Sequence, residues 1–217
     1  LYRRSREIHS RIISLDSHCD TPMLFAQGYE IYERSGTALV DMHKMYEGAL
    51  DAVTMVAYLK QGARDENSLL QATAEADRLL QGIADRGEHC GGNVVLCDRP
   101  HELEMAKRAG KRVVMRGIEN GYAIGKELSN IARYRDMGVV YMALCHNGDN
   151  DICDSARGEN EHGGLSAFGK AVVREMNDVG MLTLKLYGIN IEPVLNDVEI
   201  SKEEKETLES KFVKNYV

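Results

Sequence analysis

The sequence predicts an α/β fold built on a parallel β-sheet. Two observations predict it. Short apolar, β-rich segments alternate along the chain with segments of helical period. These apolar segments are nearly continuous rather than alternating, which is typical of parallel strands covered on both faces. Neither a linker nor an internal repeat divides the 217 residues, so we expect one domain over residues 1–217.

Five strands are predicted, and each is an apolar run that ends at a polar residue or a glycine. They span residues 12–16, 50–59, 112–118, 138–145 and 181–187. Apolar residues at spacings of three, four and seven predict amphipathic helices between them. Four predicted helices span residues 66–84, 127–137, 165–179 and 202–214, and a further predicted helix begins at Pro100. The helix over 202–214 is expected to form a C-terminal helical tail over residues 199–217.

The composition excludes several classes of protein. The chain carries 27 Lys and Arg against 34 Asp and Glu, a formal net charge of −7. This acidic balance argues against nucleic acid as the main partner, because phosphate binding requires a basic surface. The longest apolar run is Val139–Cys145, whereas a transmembrane helix needs about 20 residues. Five cysteines without a CxxC spacing predict neither a disulfide framework nor a zinc ribbon.

The first candidate site is the sequence His18-Cys19-Asp20 at the end of the first predicted strand. Side chains at positions i and i+2 of a strand point to the same face, with Cα atoms ~6.6 Å apart. His18 and Asp20 could therefore bind one divalent cation, and this mixed nitrogen and oxygen set suits zinc. The alternative is a histidine that is simply paired with a neighbouring carboxylate. Cys19 is expected to point to the opposite face as a packed thiol.

Glu119 and His146 follow two further predicted strands. Glu119 lies between Gly117 and Gly121, and its two oxygens could bridge metal ions ~3.5–4 Å apart; the alternative is an ordinary loop carboxylate. His146 could polarise a carbonyl or stabilise an oxyanion, or it could simply cap a turn. All the candidates follow the C-terminal ends of predicted parallel strands. In a parallel α/β barrel, that edge is where the active site forms.

At these residues the chain resembles the membrane dipeptidase (renal dipeptidase) family of zinc metallopeptidases. The matching segments are LDSHCDTPM (15–23), VDMHKMYEGALDAVTMVAYL (40–59), RGIENG (116–121), GVVYMALCHNGDNDICDSA (138–156) and GLSAFGKAVVREMNDVGM (164–181). The resemblance implies a (β/α)8 TIM-type barrel of the metal-dependent hydrolase kind with two zinc ions. It also implies hydrolysis of dipeptides, often with a C-terminal D-residue, by attack of a metal-bound hydroxide.

The resemblance also assigns roles to the candidate residues. His18 and Asp20 would bind the first zinc ion, Glu119 would bridge both ions, and His146 would contact the scissile carbonyl of the substrate. The family's remaining site residues (two histidines, an arginine and an aspartate) are not found in this chain, where no histidine follows His162. We therefore expect an incomplete barrel that lacks a block near residues 180–183, since a complete barrel takes ~250 residues.

Two other functions are left open: a different amidohydrolase-like barrel enzyme, or a catalytically incompetent relative that binds a peptide or a partner. A zinc content near two ions per chain would favour the dipeptidase, and one or none would favour the incompetent relative. A dipeptide is the expected partner of the enzyme, and a homodimer is left open. The start at Leu1 and the habits of the family favour export with a removed signal, with a cytoplasmic location as the alternative.

Overall fold

The structure is a computed structural model, and it describes residues 2–184. In this part of the chain, the α-helices span Tyr2–Arg11 (α1), Met42–Gly48 (α2), Glu66–Glu88 (α3), Pro100–Arg108 (α4), Ser129–Asp136 (α5) and Ala167–Asp178 (α6). The strands span Leu15–Cys19 (β1), Ala52–Tyr58 (β2), Val94–Leu96 (β3), Arg112–Glu119 (β4), Val139–Ala143 (β5) and Leu182–Leu184 (β6). Two 3₁₀ helices span Thr21–Gln27 and Gly121–Ile124.

All six strands belong to one parallel sheet. Five of them lie in the order β1-β2-β4-β5-β6, and β3 pairs with β4 beside this row. One edge of β4 pairs with β2 along its length, while the other edge is shared. Its first part, 112–114, pairs with β3, and its last part, 116–119, pairs with β5. Because every pairing is parallel, the carboxyl ends of the strands lie at one edge of the sheet. The predicted α/β fold with an incomplete barrel is confirmed as a half-barrel of parallel strands.

The core lies between the sheet and the helices that cover it. Strand β2 is almost entirely buried, as expected of a parallel strand covered on both faces. Helix α3 lies against β2 and β3. Asp65 caps its N-terminus, because its carboxylate accepts a hydrogen bond from the Ser68 amide at 3.1 Å. The inward stripe of α3 includes Leu80 and Ile83, both at most 1% exposed. Burial of each such side chain stabilises the fold by about 1.5–3 kcal/mol.

The predicted first strand, 12–16, has the wrong bounds. Strand β1 instead runs over Leu15–Cys19, and its pairing with β2 begins at Leu15. Ile12 and Ile13 are 47% and 39% exposed, so their apolar character does not mark a buried strand. The short elements α1, α2 and β3 were not predicted, because each is too polar or too short to show a clear period.

Several predictions lie wholly or partly outside the described residues. Of the strand predicted over 181–187, the structure describes Leu182–Leu184 as β6. The helix over 202–214 and the tail over 199–217 lie outside the described part of the chain. The single domain and the missing block near residues 180–183 stay predictions. No helix among residues 2–184 has the length and apolar character needed to cross a membrane.

Candidate metal centre

Three potential metal ligands converge at the carboxyl edge of the sheet. Nε2 of His18 lies 3.3 Å from Oδ1 of Asp20 and 3.3 Å from Oε2 of Glu119. One ligand atom from each of the three residues lies within 4.8 Å of the others. Among the described residues, this is the only group of three or more His, Cys, Asp or Glu side chains with that geometry. The structure therefore brings together the three residues that the sequence predicts as metal ligands.

His18 and Asp20 reach this cluster in a way that the sequence does not indicate. Between Asp16 and Cys19, β1 carries an extra residue relative to β2, which is a β-bulge. Bulges change the direction of side chains and are common beside active sites. Asp20 lies beyond β1, with φ −85° and ψ 13°, where the 3₁₀ helix Thr21–Gln27 begins. The expected i, i+2 arrangement on one extended strand is therefore wrong, and a bulge followed by a turn brings the two side chains together.

Cys19 lies between these two residues and is buried, as the sequence predicts. The residue is 9% exposed and forms part of the main hydrophobic core. Its Sγ atom lies 3.0 Å from Oγ1 of Thr21. Burial raises the pKa of the Cys19 thiol, which keeps it protonated at neutral pH and disfavours it as a ligand.

His146 lies on the other side of Glu119. Its Nε2 atom is 3.3 Å from Oε1 of Glu119, so the carboxylate lies between two imidazole rings. The Tyr58 ring packs edge-on against the His146 ring, with centroids 5.0 Å apart and an interplanar angle of 82°. Nδ1 of His146 is buried and makes no hydrogen bond with the described residues. The His146 side chain is 22% exposed, so the ring lies at the surface of the cluster.

A buried asparagine directly follows Glu119 and fixes the loop around it. Asn120 has a φ of 86°, a left-handed conformation that only a few residue types adopt readily. Its Oδ1 atom accepts hydrogen bonds from the Tyr122 amide at 3.1 Å and from Nδ2 of Asn150 at 3.0 Å. Its Nδ2 atom donates to the Leu59 carbonyl at 3.0 Å. One side chain thus joins the loops that follow β2, β4 and β5.

The two glycines that flank Glu119 allow close packing, as the sequence suggests. A Cβ atom on Gly117 would lie 2.7 Å from Cζ of Tyr141. A Cβ atom on Gly121 would lie 2.6 Å from Cδ1 of Ile152 and 2.8 Å from the Leu144 carbonyl oxygen. Since carbon atoms do not approach so closely without a shift, larger residues at either position would displace the neighbours of Glu119.

Two further carboxylates and a serine form hydrogen bonds within the loop between β5 and α6. Asp149 accepts hydrogen bonds from the Ser155 and Glu159 amides, at 2.6 and 2.7 Å. Asp154 accepts from the His162 and Gly164 amides, at 2.8 and 2.7 Å. Ser166 begins α6 by accepting from the Gly169 amide at 2.9 Å. The acidic residues that follow His146 therefore serve to shape a loop.

The electrostatics of the cluster favour a cation. Hydrogen bonds to Asp20 and then to Glu119 raise the pKa of His18 to about 9, despite its partial burial. The site therefore holds a proton on His18 at neutral pH, and a metal ion bound at Nε2 would replace that proton. A neutral imidazole and two carboxylates are ligands that zinc accepts. The donor set of His18, Asp20 and Glu119 thus fits one divalent ion.

A second ion is not accommodated by the described residues alone. Glu119 has a second oxygen, Oε1, but that atom faces His146. Within residues 2–184, no other group of at least three His, Cys, Asp or Glu side chains could hold a metal ion. The described residues thus present the geometry of a ligand group for one ion.

Four residues around the site were not predicted from the sequence. They are Tyr58, Asn120, Tyr141 and Asn150. Tyr58 ends β2 and pairs with Glu119 in the sheet, so a search of every strand end would have found it. Tyr141 lies inside β5, and its role depends on a contact with a residue 123 positions away. No local pattern reveals that contact.

Comparisons with known proteins identify the family. The model of the membrane dipeptidase family (Peptidase family M19) matches residues 2–184. The chain is 42% identical over 194 residues to an uncharacterised dipeptidase of Schizosaccharomyces pombe, covering 83% of this chain and 47% of that protein. It is 27% identical over 155 residues to the dipeptidase tcpJ of Claviceps purpurea, covering 66% and 35% respectively. The chain thus spans half or less of the length of these relatives.

Solved structures share the fold. The probable dipeptidase PvdM of Pseudomonas aeruginosa matches with a TM-score of 0.77 and 22% identity, over 89% of this chain and 52% of that chain. A metallopeptidase of Rhodobacter sphaeroides, solved with a phosphinate mimic of L-Ala-D-Ala, matches with a TM-score of 0.72 and 18% identity, over 87% and 63%. At these identities the likeness shows the fold, and the family model shows the membership. The chain belongs to the membrane dipeptidase family, Peptidase family M19.

Proposed function

We propose that this chain carries the metal-binding part of a zinc-dependent dipeptidase, which hydrolyses the peptide bond of a dipeptide. The observation that carries the proposal is the convergence of His18, Asp20 and Glu119, whose ligand atoms lie within 4.8 Å of one another at the carboxyl edge of the sheet. In parallel α/β barrels, that edge holds the active site. The relatives named above are dipeptidases, which supports the same substrate class here.

A C-terminal D-residue in the substrate is a further part of the proposal. The Rhodobacter sphaeroides metallopeptidase, which shares this fold, was solved with a mimic of L-Ala-D-Ala. We therefore expect L-Ala-D-Ala to be a useful first substrate. Its L-Ala-L-Ala diastereomer, which has the same composition and charge, is the matched comparison.

Each residue of the cluster would have a separate task. His18, Asp20 and Glu119 would hold the zinc ion, and the buried Glu119 would orient the cluster through both of its oxygens. When bound, zinc supplies a Lewis acid and lowers the pKa of a coordinated water. His146 would bind the scissile carbonyl oxygen and stabilise the negative charge that develops there. Its partly exposed ring beside Glu119 supports that role.

Two zinc ions bridged by Glu119 remain the expectation for a complete site. The described residues offer a full ligand set for one of them. Among the described residues, only this one group has the geometry of metal ligands, and this observation favours a second candidate function. A protein that binds one metal ion and has no ligands for a second ion could bind a peptide without cleaving it.

Zinc content and hydrolysis, measured together, test the proposal. We expect the full chain, loaded with zinc and freed of excess metal, to retain zinc and to cleave L-Ala-D-Ala. His18→Ala should lose both properties. His146→Ala should keep its zinc and cleave about 10²–10³-fold more slowly, which is the usual effect of removing an oxyanion-stabilising donor. His43→Ala, which alters an exposed histidine of α2, is the control and should change neither.

The outcomes separate the two candidate functions. Zinc retention with hydrolysis supports the dipeptidase. Retention of one zinc ion without hydrolysis of either dipeptide would contradict it and favour the peptide-binding relative. Failure of the full chain to retain zinc would contradict the metal site itself.

A further inference from the structure

A tyrosine hydroxyl contacts the ring nitrogen of His18 that faces away from the ligand cluster. The Oη atom of Tyr141 lies 2.8 Å from Nδ1 of His18 and 3.0 Å from the carbonyl oxygen of Ser17. The two rings are nearly parallel, with an interplanar angle of 20°. Tyr141 is 5% exposed, whereas His18 is partly exposed, so the two contacts are partly buried. No part of the function proposed above uses this residue.

The direction of these hydrogen bonds follows from counting protons. A tyrosine hydroxyl has one proton, and a backbone carbonyl oxygen can only accept. Tyr141 therefore donates its proton to the carbonyl of Ser17. Its oxygen is then an acceptor, so Nδ1 of His18 must carry a proton and donate it. This arrangement leaves Nε2 as the nitrogen whose lone pair can bind a metal ion.

The same nitrogen is the one that faces the other ligands. Nε2 of His18 lies 3.3 Å from both Asp20 and Glu119, whereas Nδ1 faces Tyr141. A ligand histidine whose second nitrogen donates a hydrogen bond has a fixed tautomer and a fixed ring orientation. The β-bulge in β1 leaves the backbone near His18 irregular, so the strand alone does not fix this ring.

The sheet makes room for the Tyr141 ring by placing a glycine opposite it. Gly117 of β4 pairs directly with Tyr141 of β5. A Cβ atom on Gly117 would lie 2.7, 3.0 and 3.1 Å from three atoms of the Tyr141 ring. Any larger residue at position 117 would therefore push the ring, and with it the hydroxyl, away from its present place.

We propose that Tyr141 is a positioning residue for the metal site: it fixes the His18 ring so that Nε2 is the metal ligand, and Gly117 provides the space that this requires. The inference rests on the metal site proposed above, because it assigns the orientation of one of its ligands. It predicts that metal affinity depends on a hydroxyl group that does not itself touch the metal.

The test compares zinc affinity in two tyrosine-to-phenylalanine variants of the full chain. Tyr141→Phe removes the hydroxyl and keeps the ring, and we expect zinc to bind about 10–100-fold more weakly, as is usual for such partners of ligand histidines. Tyr134→Phe is the matched control. Its hydroxyl is also buried and donates to a backbone carbonyl, that of Ala123 at 3.0 Å, away from the cluster. It should change zinc affinity less than threefold, an allowance of about 0.6 kcal/mol.

Gly117 gives a second and independent measurement. Gly117→Ala should weaken zinc binding in the wild-type background, because the added methyl group displaces the Tyr141 ring. In the Tyr141→Phe background it should add little, since the hydrogen bond is already lost. Such non-additivity is the signature of two residues that act through one contact. A spectroscopic measurement completes the test, because ¹⁵N NMR of the zinc-loaded wild type should show a proton on Nδ1 of His18 and metal at Nε2.

The outcomes distinguish this inference from the function on which it rests. Wild-type affinity in Tyr141→Phe, or an equal loss in Tyr134→Phe, would overturn the role of Tyr141 and leave the metal site standing. Additive effects of Gly117→Ala and Tyr141→Phe would overturn the role of Gly117. A wild-type chain that binds no zinc would overturn the metal site together with the inference.

Discussion

Nδ2 of Asn150 donates a hydrogen bond to Oδ1 of Asn120 at 3.0 Å, and both side chains are fully buried. The pair connects the loop that follows β4 with the loop that follows β5. The same Nδ2 atom donates to the Leu144 carbonyl at 2.8 Å, and Oδ1 of Asn150 accepts from two backbone amides of its own loop. Since Glu119 precedes one loop and His146 begins the other, this pair holds the two site residues in their relative places.

Replacement of Asn120 is therefore expected to destabilise the fold. Asn120→Ala leaves the Tyr122 amide and one of the two N–H groups of the Asn150 side chain without their acceptor, a loss of about 1–3 kcal/mol for an unsatisfied buried group. It also places alanine at φ 86°, which costs roughly 1–2 kcal/mol. We predict that the free energy of unfolding, measured by urea denaturation, falls by about 2–4 kcal/mol.

Asn67→Ala is the control for this measurement, because Asn67 is exposed in α3. It should change the free energy of unfolding by no more than about 0.5 kcal/mol. An Asn120→Ala variant as stable as this control would show that the asparagine pair does not support the loops.

We predict that Gly169→Ala destabilises the fold, although Gly169 lies inside helix α6. Alanine favours a helix interior over glycine by up to about 1 kcal/mol. Here, however, a Cβ atom would lie 2.0 Å from the carbonyl oxygen of Ile152. That carbonyl also accepts a hydrogen bond from the Ser166 amide at 2.9 Å. We expect Gly169→Ala to lower the free energy of unfolding by at least about 2 kcal/mol, as in other overpacked cores.

Gly48→Ala provides the comparison, since Gly48 is also helical and its Cβ atom would meet nothing within 4 Å. This variant should be as stable as the wild type or slightly more stable in thermal unfolding. Equal melting temperatures for the two variants would mean that α6 can move away from Ile152 without loss.

Asp51 lies at the end of the sheet opposite the candidate metal centre, and it makes the stability of the fold depend on pH. Its carboxylate accepts hydrogen bonds from Nζ of Lys107 at 2.6 Å and from the Ser14 amide at 2.9 Å. Burial alone would raise the pKa of Asp51, but these hydrogen bonds outweigh it and lower the pKa below its ordinary value of 3.8. The unfolded chain therefore binds a proton at Asp51 more readily than the folded chain does. The stabilisation is fully present above the ordinary pKa and is lost as the pH falls through the lowered one.

The measurement compares wild type with Asp51→Asn in urea at pH 7, 5, 4 and 3. We expect the variant to be less stable by about 1.5–3 kcal/mol at pH 7, the usual value of hydrogen bonds to a charged group. The difference should shrink below pH 4. Asp136→Asn, which alters an exposed carboxylate of α5, should show no such pH dependence. A difference for Asp51→Asn that is constant from pH 7 to pH 3 would contradict the role of its charge.

Elements with a clear period could be predicted from the sequence, and elements that depend on distant contacts could not. The stripe of α3, which includes Leu80 and Ile83, follows from spacing alone, as does the buried strand β2. Strand β3 has three residues and acquires its structure only by pairing with the first part of β4. A run that short carries too little hydrophobic signal to be distinguished from a loop.

The candidate site shows the same division. Parallel strands place the residues at their carboxyl ends together, so the proximity of His18, Glu119 and His146 could be anticipated. The β-bulge at His18 and the left-handed backbone of Asn120 could not, because both depend on neighbouring strands and loops. The second zinc ion, the homodimer and export from the cytoplasm stay predictions.

Glu119→Gln is the most direct test of the metal site. The substitution keeps the shape of the side chain but replaces one carboxylate oxygen with an NH2 group. It therefore removes the negative charge that lies between His18 and His146. We predict that zinc retention and L-Ala-D-Ala hydrolysis are lost together, while the circular dichroism spectrum is unchanged. Glu104→Gln, at an exposed position of α4, should alter neither property. A Glu119→Gln variant that retains zinc and hydrolyses the dipeptide at the wild-type rate would contradict the proposed site.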